Sequence, residues 1–232
     1  MKRIGIIGGM SPESTTEYYS YIIHNYVNKY GDSSYPEIVI HSVSFQRYIN
    51  WVNTGNRKAI EEALFSAAQS LKKADADFLI LATNTMHLFV DKIKKNCDLP
   101  LLEITEVVKQ RILDKKYEKV GVIGTKTCLE KGLYQSSLND SGIDVIIPSK
   151  NERLFINSVI FNELTRGIFL ADSKRKFVDI IKSLQDKGAR AVILGCTEIP
   201  LLVDNHDVDI DLIDTTRLHA QKALEYSLND NQ

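Results

Sequence analysis

Three short segments recur in the same order along the chain, and this repeat limits the possible folds more than any other feature. Ile4-Gly5-Ile6-Ile7-Gly8 resembles Val120-Gly121-Val122-Ile123-Gly124. Phe78-Leu79-Ile80-Leu81-Ala82-Thr83 resembles Ala191-Val192-Ile193-Leu194-Gly195-Cys196, and Leu102-Glu103-Ile104-Thr105 resembles Ile213-Asp214-Thr215-Thr216. Gly5 and Gly121 are 116 positions apart, Thr83 and Cys196 113, and Thr105 and Thr216 111. One such match is common in α/β sequences. Three collinear matches point to a duplicated unit of about 110 residues.

The pattern within each copy is strand and helix in alternation. Short apolar, β-branched runs predict strands at Ile4–Gly8, Glu37–Ser42, Phe78–Ala82, Leu101–Glu103, Val120–Gly124, Val145–Pro148, Ala191–Gly195 and Leu212–Asp214. Phe78-Leu79-Ile80-Leu81 is continuously apolar, as a strand buried on both faces of a parallel sheet must be. Helical spacing fills the gaps over Ser14–Asn28, Arg57–Ala74, Met86–Lys95, Thr105–Asp114, Glu130–Asp140, Glu152–Arg166, Asp172–Lys187 and Thr215–Leu228. Ser11-Pro12-Glu13 is a helix start, with a capping hydroxyl, a proline at the first helical position and an acid in the first turn. The expected fold is α/β: two pseudo-symmetric lobes, each a four-stranded parallel sheet flanked by helices, with the active site in the cleft between them. The lobe boundaries read as residues 1–104 plus 215–232 for the N-terminal lobe and 105–214 for the C-terminal lobe, the last helix returning to the first lobe.

Composition narrows the function. The 29 Lys and Arg against 30 Asp and Glu leave a formal net charge of -1, which gives no strong field for nucleic acid or an anionic membrane. No apolar run approaches the roughly 18 residues of a membrane span, and the N-terminal stretch is too short and too glycine-broken for a signal peptide. Cys97, Cys128 and Cys196 are odd in number and far apart, without a CxxC or a His-rich tract, so neither a disulfide framework nor a zinc site is signalled. A reducing, cytoplasmic setting is expected. Gly5, Gly8 and Gly9 do not make the dinucleotide-binding GxGxxG, and His41 stands where an acidic residue would end the second strand.

Ligands of open parallel sheets sit at the carboxyl ends of the strands, where the counterparts Thr83 and Cys196 both fall. If the lobes face each other, a hydroxyl and a thiol approach one ligand from opposite sides. Two opposed proton carriers are what inversion at a carbon centre needs. Gly8-Gly9-Met10-Ser11, Asn84-Thr85-Met86 and Thr125-Lys126-Thr127 each follow a strand and precede a helix, so their amides either hold an anion or serve ordinary capping. Cys196 is a proton carrier or a small core residue, and Cys97 and Cys128 have no such context.

These segments carry a family resemblance. Gly8-Gly9-Met10-Ser11-Pro12-Glu13-Ser14-Thr15, Ala82-Thr83-Asn84-Thr85-Met86-His87 and Gly195-Cys196-Thr197-Glu198-Ile199-Pro200-Leu201-Leu202 resemble the motifs of the aspartate/glutamate racemases across essentially the whole chain. The resemblance implies an isomerase that works without pyridoxal phosphate or metal, with two cysteines as bases, and commonly as a homodimer. Glu198 stands where glutamate racemases usually carry His, which favours an aspartate or broad-substrate branch. Thr83 stands where the family usually has Cys, and this chain most resembles an L-specific Thr/Cys branch. Cys196 would then take the α-proton of L-aspartate or L-glutamate, and Thr83 would lie on the other face as donor.

Substrate contacts are expected from Met10, Ser11, Asn84, Thr85, Thr125, Lys126 and Thr197, which offer amides or hydroxyls at these helix starts, with Lys126 also a candidate cation for an acidic side chain. Arg166 falls where the aspartate racemases usually carry a substrate-binding Lys, and a guanidinium pairs a carboxylate in bidentate fashion. Glu198 orients Cys196 or accepts its proton, and His87 orients Thr83 or is a satisfied helix residue. The alternatives are a broad-specificity amino-acid racemase and a catalytically impaired amino-acid sensor, which the loss of one cysteine keeps open.

Overall fold

The computed structural model describes residues 1–229. The chain divides into two compact units, Met1–Val107 together with the chain from Thr216 onward, and Val108–Thr215.

The first unit is built on a four-stranded, all-parallel sheet of β1 (Ile4–Gly8), β2 (Ile38–Ser42), β3 (Phe78–Leu81) and β4 (Leu101–Leu102), in the order β2-β1-β3-β4. Helices α1 (Pro12–Tyr30), α2 (Phe45–Asn53), α3 (Arg57–Lys73) and α4 (Asp91–Asn96) fill the connections, and α5 (Ile104–Asp114) starts in this unit and continues into the second from Val108. Period-2 alternation sends the two central strands to both faces at once. Ile4, Ile6, Phe78 and Ile80 pack with Tyr18, Ile22, Ala220 and Ala223, whereas Ile7, Leu79 and Leu81 pack with Ile60, Leu64 and Ala68 of α3. All of these are buried, which is why β3 reads as one apolar run.

The second unit repeats the plan with β5 (Lys119–Gly124), β6 (Asp144–Ile146), β7 (Ala191–Gly195) and β8 (Asp211–Asp214), parallel in the order β6-β5-β7-β8. Its helices are α6 (Lys126–Glu130), α7 (Leu133–Asn139), α8 (Lys150–Asn162) and α9 (Ala171–Asp186), and α10 (Thr215–Leu228) follows β8. Ile156, Ile160, Phe177, Ile181 and Leu184 cover one sheet face through Ile123, Val192 and Leu194. The strand order matches that of the first unit, strand for strand, as the repeat requires.

All eight expected strands form, with boundaries within two residues. Three expected helices are interrupted. Met86–Lys95 is a 3₁₀ turn, Thr85–Phe89, followed by α4. Glu130–Asp140 breaks at Gly132, whose φ of 68° is left-handed and separates α6 from α7. Glu152–Arg166 begins earlier, at a Ser149–Glu152 capping box, and α8 stops at Asn162; Arg166 lies in a separate 3₁₀ turn, Leu164–Arg166. Helix α2 lies outside the expected set, although Phe45, Tyr48 and Val52 have helical spacing.

The order of each sheet reverses direction between β1 and β3, and between β5 and β7. Within each unit this topological switch leaves the loops after those strands flanking a crevice, the usual ligand position in such sheets. The loops are Gly9-Met10-Ser11 and Thr83-Asn84-Thr85 in the first unit, and Thr125-Lys126 and Cys196-Thr197-Glu198 in the second.

Candidate active site

In the second unit β5 and β7 approach so closely that only glycine fits at their ends. A Cβ on Gly124 would lie 2.8 Å from the Gly195 carbonyl oxygen, so the two glycines set the position from which Cys196 leaves the sheet. Cys196 is 7% exposed and Glu198 5%. The Cys196 thiol donates to Glu198 Oε2 at 2.9 Å, and the Thr197 hydroxyl donates to the same oxygen at 2.8 Å. A 3₁₀ turn with Pro200, Ile199–Leu201, follows and holds this short loop, with Ile199 N–H on the Cys196 carbonyl at 3.2 Å. The Thr215 hydroxyl donates to the carbonyl of Leu194 at 2.9 Å, tying the end of β7 to the start of α10.

Burial first, and then the Glu198 carboxylate, push the Cys196 thiol well above its ordinary range; the Glu198 N–H pulls the other way. Cys196 therefore rests as a thiol with its proton already aimed at a carboxylate. That is a donor–acceptor pair from which the proton can leave when charge develops on sulfur. Cys128 is a different case: it is buried, with its thiol pushed up to about 12 by burial alone, and it packs as a small core residue.

In the first unit Thr83 follows β3 and is 9% exposed. Its backbone is held at both ends. The N–H donates to Leu81 O at 2.8 Å, and the carbonyl accepts from His87 Nδ1 at 2.8 Å. His87 thus contacts the Thr83 main chain rather than its hydroxyl. Asn84 is buried, and its carbonyl accepts the His87 N–H at 3.0 Å.

The other expected residues have mixed surroundings. Ser11 caps α1, accepting Ser14 N–H, and Gly9 N–H donates to Thr15 Oγ1 at 2.8 Å. Gly9 itself has φ 90°, and a side chain there would run into the backbone of Val43. Met10 is buried in the apolar cluster beneath α3. Thr125 caps α6 through Cys128 N–H at 3.2 Å, and Lys126 N–H donates to Asn157 Oδ1 at 2.9 Å. The capping role left open by the sequence is therefore occupied at Ser11 and Thr125, while the Lys126 and Arg166 side chains stand exposed to solvent.

Sequence reasoning missed His219 and Tyr18. His219, fully buried, accepts from Tyr18 OH at 2.8 Å through Nδ1 and donates from Nε2 to Leu102 O at 2.9 Å. The two partners of this ring, Tyr18 and Leu102, lie in segments far from it and from each other in sequence, so no local spacing signals it.

Burial holds both imidazoles neutral, His87 lowered from 6.5 to about 4 and His219 to about 3. An unfolded chain takes up protons at these rings below about pH 6.5 that the folded chain refuses until much lower pH, so stability rises with pH through that window and falls on acidification. The urea midpoint is expected to drop between about pH 7 and about pH 5, a range above most carboxylate titration. A midpoint that does not move contradicts buried neutral rings.

The geometry of each unit describes a known kind of site: proton-carrying groups at the carboxyl ends of parallel strands. A family model for Asp/Glu/hydantoin racemases matches residues 7–223, and the chain belongs to that family. Similar solved structures include a candidate Asp/Glu racemase from Yersinia pestis, 37% identical with a TM-score of 0.92 over 99% of this chain and 100% of that one. An aspartate racemase homologue from Pyrococcus horikoshii OT3 is 34% identical, with a TM-score of 0.86 over 98% and 99%. The broad specificity amino-acid racemase RacX of Bacillus subtilis (strain 168) is 25% identical over 227 residues, covering 95% of this chain and 96% of its own.

Among the described residues, no helix is long and apolar enough to cross a membrane.

Proposed function

We propose that this protein is a cofactor-independent racemase of acidic amino acids, acting on L-aspartate or L-glutamate by a two-base mechanism. The observation that carries the proposal is the buried Cys196–Glu198 hydrogen bond at the end of β7, matched by Thr83 at the equivalent position of the repeated unit. Cys196 gives its proton to Glu198 as it takes the α-proton from one face of the substrate. Thr83 delivers its hydroxyl proton to the opposite face of the carbanion and is reprotonated from solvent, while Glu198 releases the proton it took from Cys196 to solvent, which closes the cycle. The electron pair left by the departing C–H bond rests on the substrate carboxylate as an enolate-like charge until that proton arrives.

This intermediate needs donors. Asn84, Thr85 and Thr125, with the main chain at Met10, Ser11 and Thr197 and the exposed ammonium of Lys126, are proposed to supply them. Arg166 is proposed to pair the side-chain carboxylate; its exposure leaves its guanidinium available for that contact. His87 acts through the Thr83 backbone. The proposal includes a cytosolic setting, supported by three cysteines that are all free thiols, and a homodimer, which rests on the family resemblance alone.

A circular-dichroism assay over L-amino acids tests the substrate class. Aspartate or glutamate is expected to turn over faster than alanine or serine, and Arg166→Gln to raise KM for the acidic substrate about tenfold or more while sparing neutral ones. Neutral amino acids turned over best, with Arg166→Gln silent, would replace this reading by a broad-specificity racemase, which the RacX relative favours.

A further inference from the structure

The buried polar groups at the end of β4 form a connected set, of which the proposed chemistry uses only His87. Leu102 O accepts from His219 Nε2 at 2.9 Å, and two residues later Ile104 N–H donates to His87 Nε2 at 3.2 Å. A carbonyl can only accept and an amide N–H can only donate, so each ring is fixed as one neutral tautomer: His219 carries its proton on Nε2, and His87 on Nδ1. His87 donates that Nδ1–H to the Thr83 carbonyl at 2.8 Å, and the Tyr18 hydroxyl donates to His219 Nδ1 at 2.8 Å. The two ring centroids are 6.0 Å apart. His87 and His219 are buried, at 6% and 0% exposure.

The repeat shows what this set replaces. In the second unit the strand end before Cys196 is tied directly to the start of α10, the helix after β8, by Thr215 on Leu194 O. Ile104 is the counterpart of Thr215 and has no hydroxyl. In the first unit the same tie between strand end and helix start passes through His87, which needs Ile104 N–H at its open nitrogen. The position of that N–H is set by β4, whose last carbonyl is held by His219.

We infer that His219, supported by Tyr18, is a positioning residue for Thr83, acting through Leu102, Ile104 and His87. The inference rests on the racemase reading for its functional consequence. His219 is expected to govern reprotonation on the Thr83 face and to leave proton removal by Cys196 largely intact.

The test compares two rates in D₂O with the L-substrate: deuterium incorporation with retention, which needs Cys196 alone, and inversion, which also needs Thr83. His219→Asn keeps an acceptor for Tyr18 but loses the donor to Leu102, and it is expected to lower the inversion-to-exchange ratio about tenfold, a size typical of a misplaced reacting group. His219→Gln, whose amide reaches the Nε2 position, is expected to restore the ratio to within about threefold of wild type. A ratio unchanged in His219→Asn, or lowered as far in His219→Gln, overturns the inference. If His219→Asn does not fold, Tyr18→Phe takes its place, with a severalfold fall expected and no change overturning it. An independent readout is the His87 Nδ1–H proton in NMR spectra, expected to be protected from water in wild type and His219→Gln and lost in His219→Asn. Should wild-type protein show neither exchange nor inversion, the racemase reading fails; the NMR signal then decides the inference alone, and its persistence in His219→Asn overturns it.

Discussion

Thr83→Cys is expected to raise turnover of D-aspartate or D-glutamate about 10²-fold, because a positioned base of suitable pKa contributes roughly that much or more to a proton transfer. A threonine hydroxyl can give a proton to a carbanion but is a very poor base, so in wild type the D-enantiomer meets a weak acceptor on the face where its α-proton points. A cysteine of ordinary pKa, roughly 8.5, is a few per cent thiolate at neutral pH. The substitution places no bulkier group at a buried position, so the fold is expected to tolerate it. The overall equilibrium cannot change, since the enantiomers have equal free energy in water. What changes is the barrier from the D side. The measurement is the initial rate from each pure enantiomer. A Thr83→Cys variant inactive toward both enantiomers, yet folded, contradicts the donor role of Thr83.

Replacing Cys196 by Ala is expected to lower α-proton exchange of the L-substrate by about 10³-fold or more, with substrate binding kept within a few-fold. Cys196→Ser separates packing from chemistry: the hydroxyl fills nearly the same space and can still donate to Glu198, but it is as poor a base as Thr83, so it is expected to be as inactive as the Ala variant. Glu198→Gln gives an intermediate outcome. The amide removes the negative charge that, after burial, lifts the thiol most, and so favours the thiolate, while it removes the group that accepts the thiol proton. A kcat loss smaller than that of Cys196→Ala, with the limiting pKa of its pH–rate profile moved downward, is the expected signature. Exchange that survives in Cys196→Ala rules out this cysteine as the base.

The repeat made the sheet topology legible from the sequence, with Thr83 and Cys196 after the equivalent strands β3 and β7, because strand ends rich in glycine and β-branched residues are local signals. β1 and β7 begin and end where the apolar runs do. Helices were less legible where a single backbone conformation intervened, as at Gly132 between α6 and α7. Of the proposed site, Cys196 beside Glu198 could be read from a two-residue spacing, and the structure joins them by a hydrogen bond. That His87 bears on Thr83 could be read from the sequence, but not that the 3₁₀ turn over Thr85–Phe89 sets its ring on the Thr83 carbonyl. His219 was illegible for a different reason. Its partners, Tyr18 and Leu102, lie 201 and 117 positions away, and only the return of α10 to the first unit brings them together.

The central claim is that one thiol removes the α-proton and one hydroxyl faces it. The most direct test is deuterium exchange at the α-carbon, followed by NMR, with purified protein and each pure enantiomer of aspartate and glutamate in D₂O. The account predicts rapid exchange of the L-enantiomer and exchange of the D-enantiomer slower by about 10²-fold or more. Equal rates from the two enantiomers, or binding of L-aspartate and L-glutamate without any exchange, would contradict it.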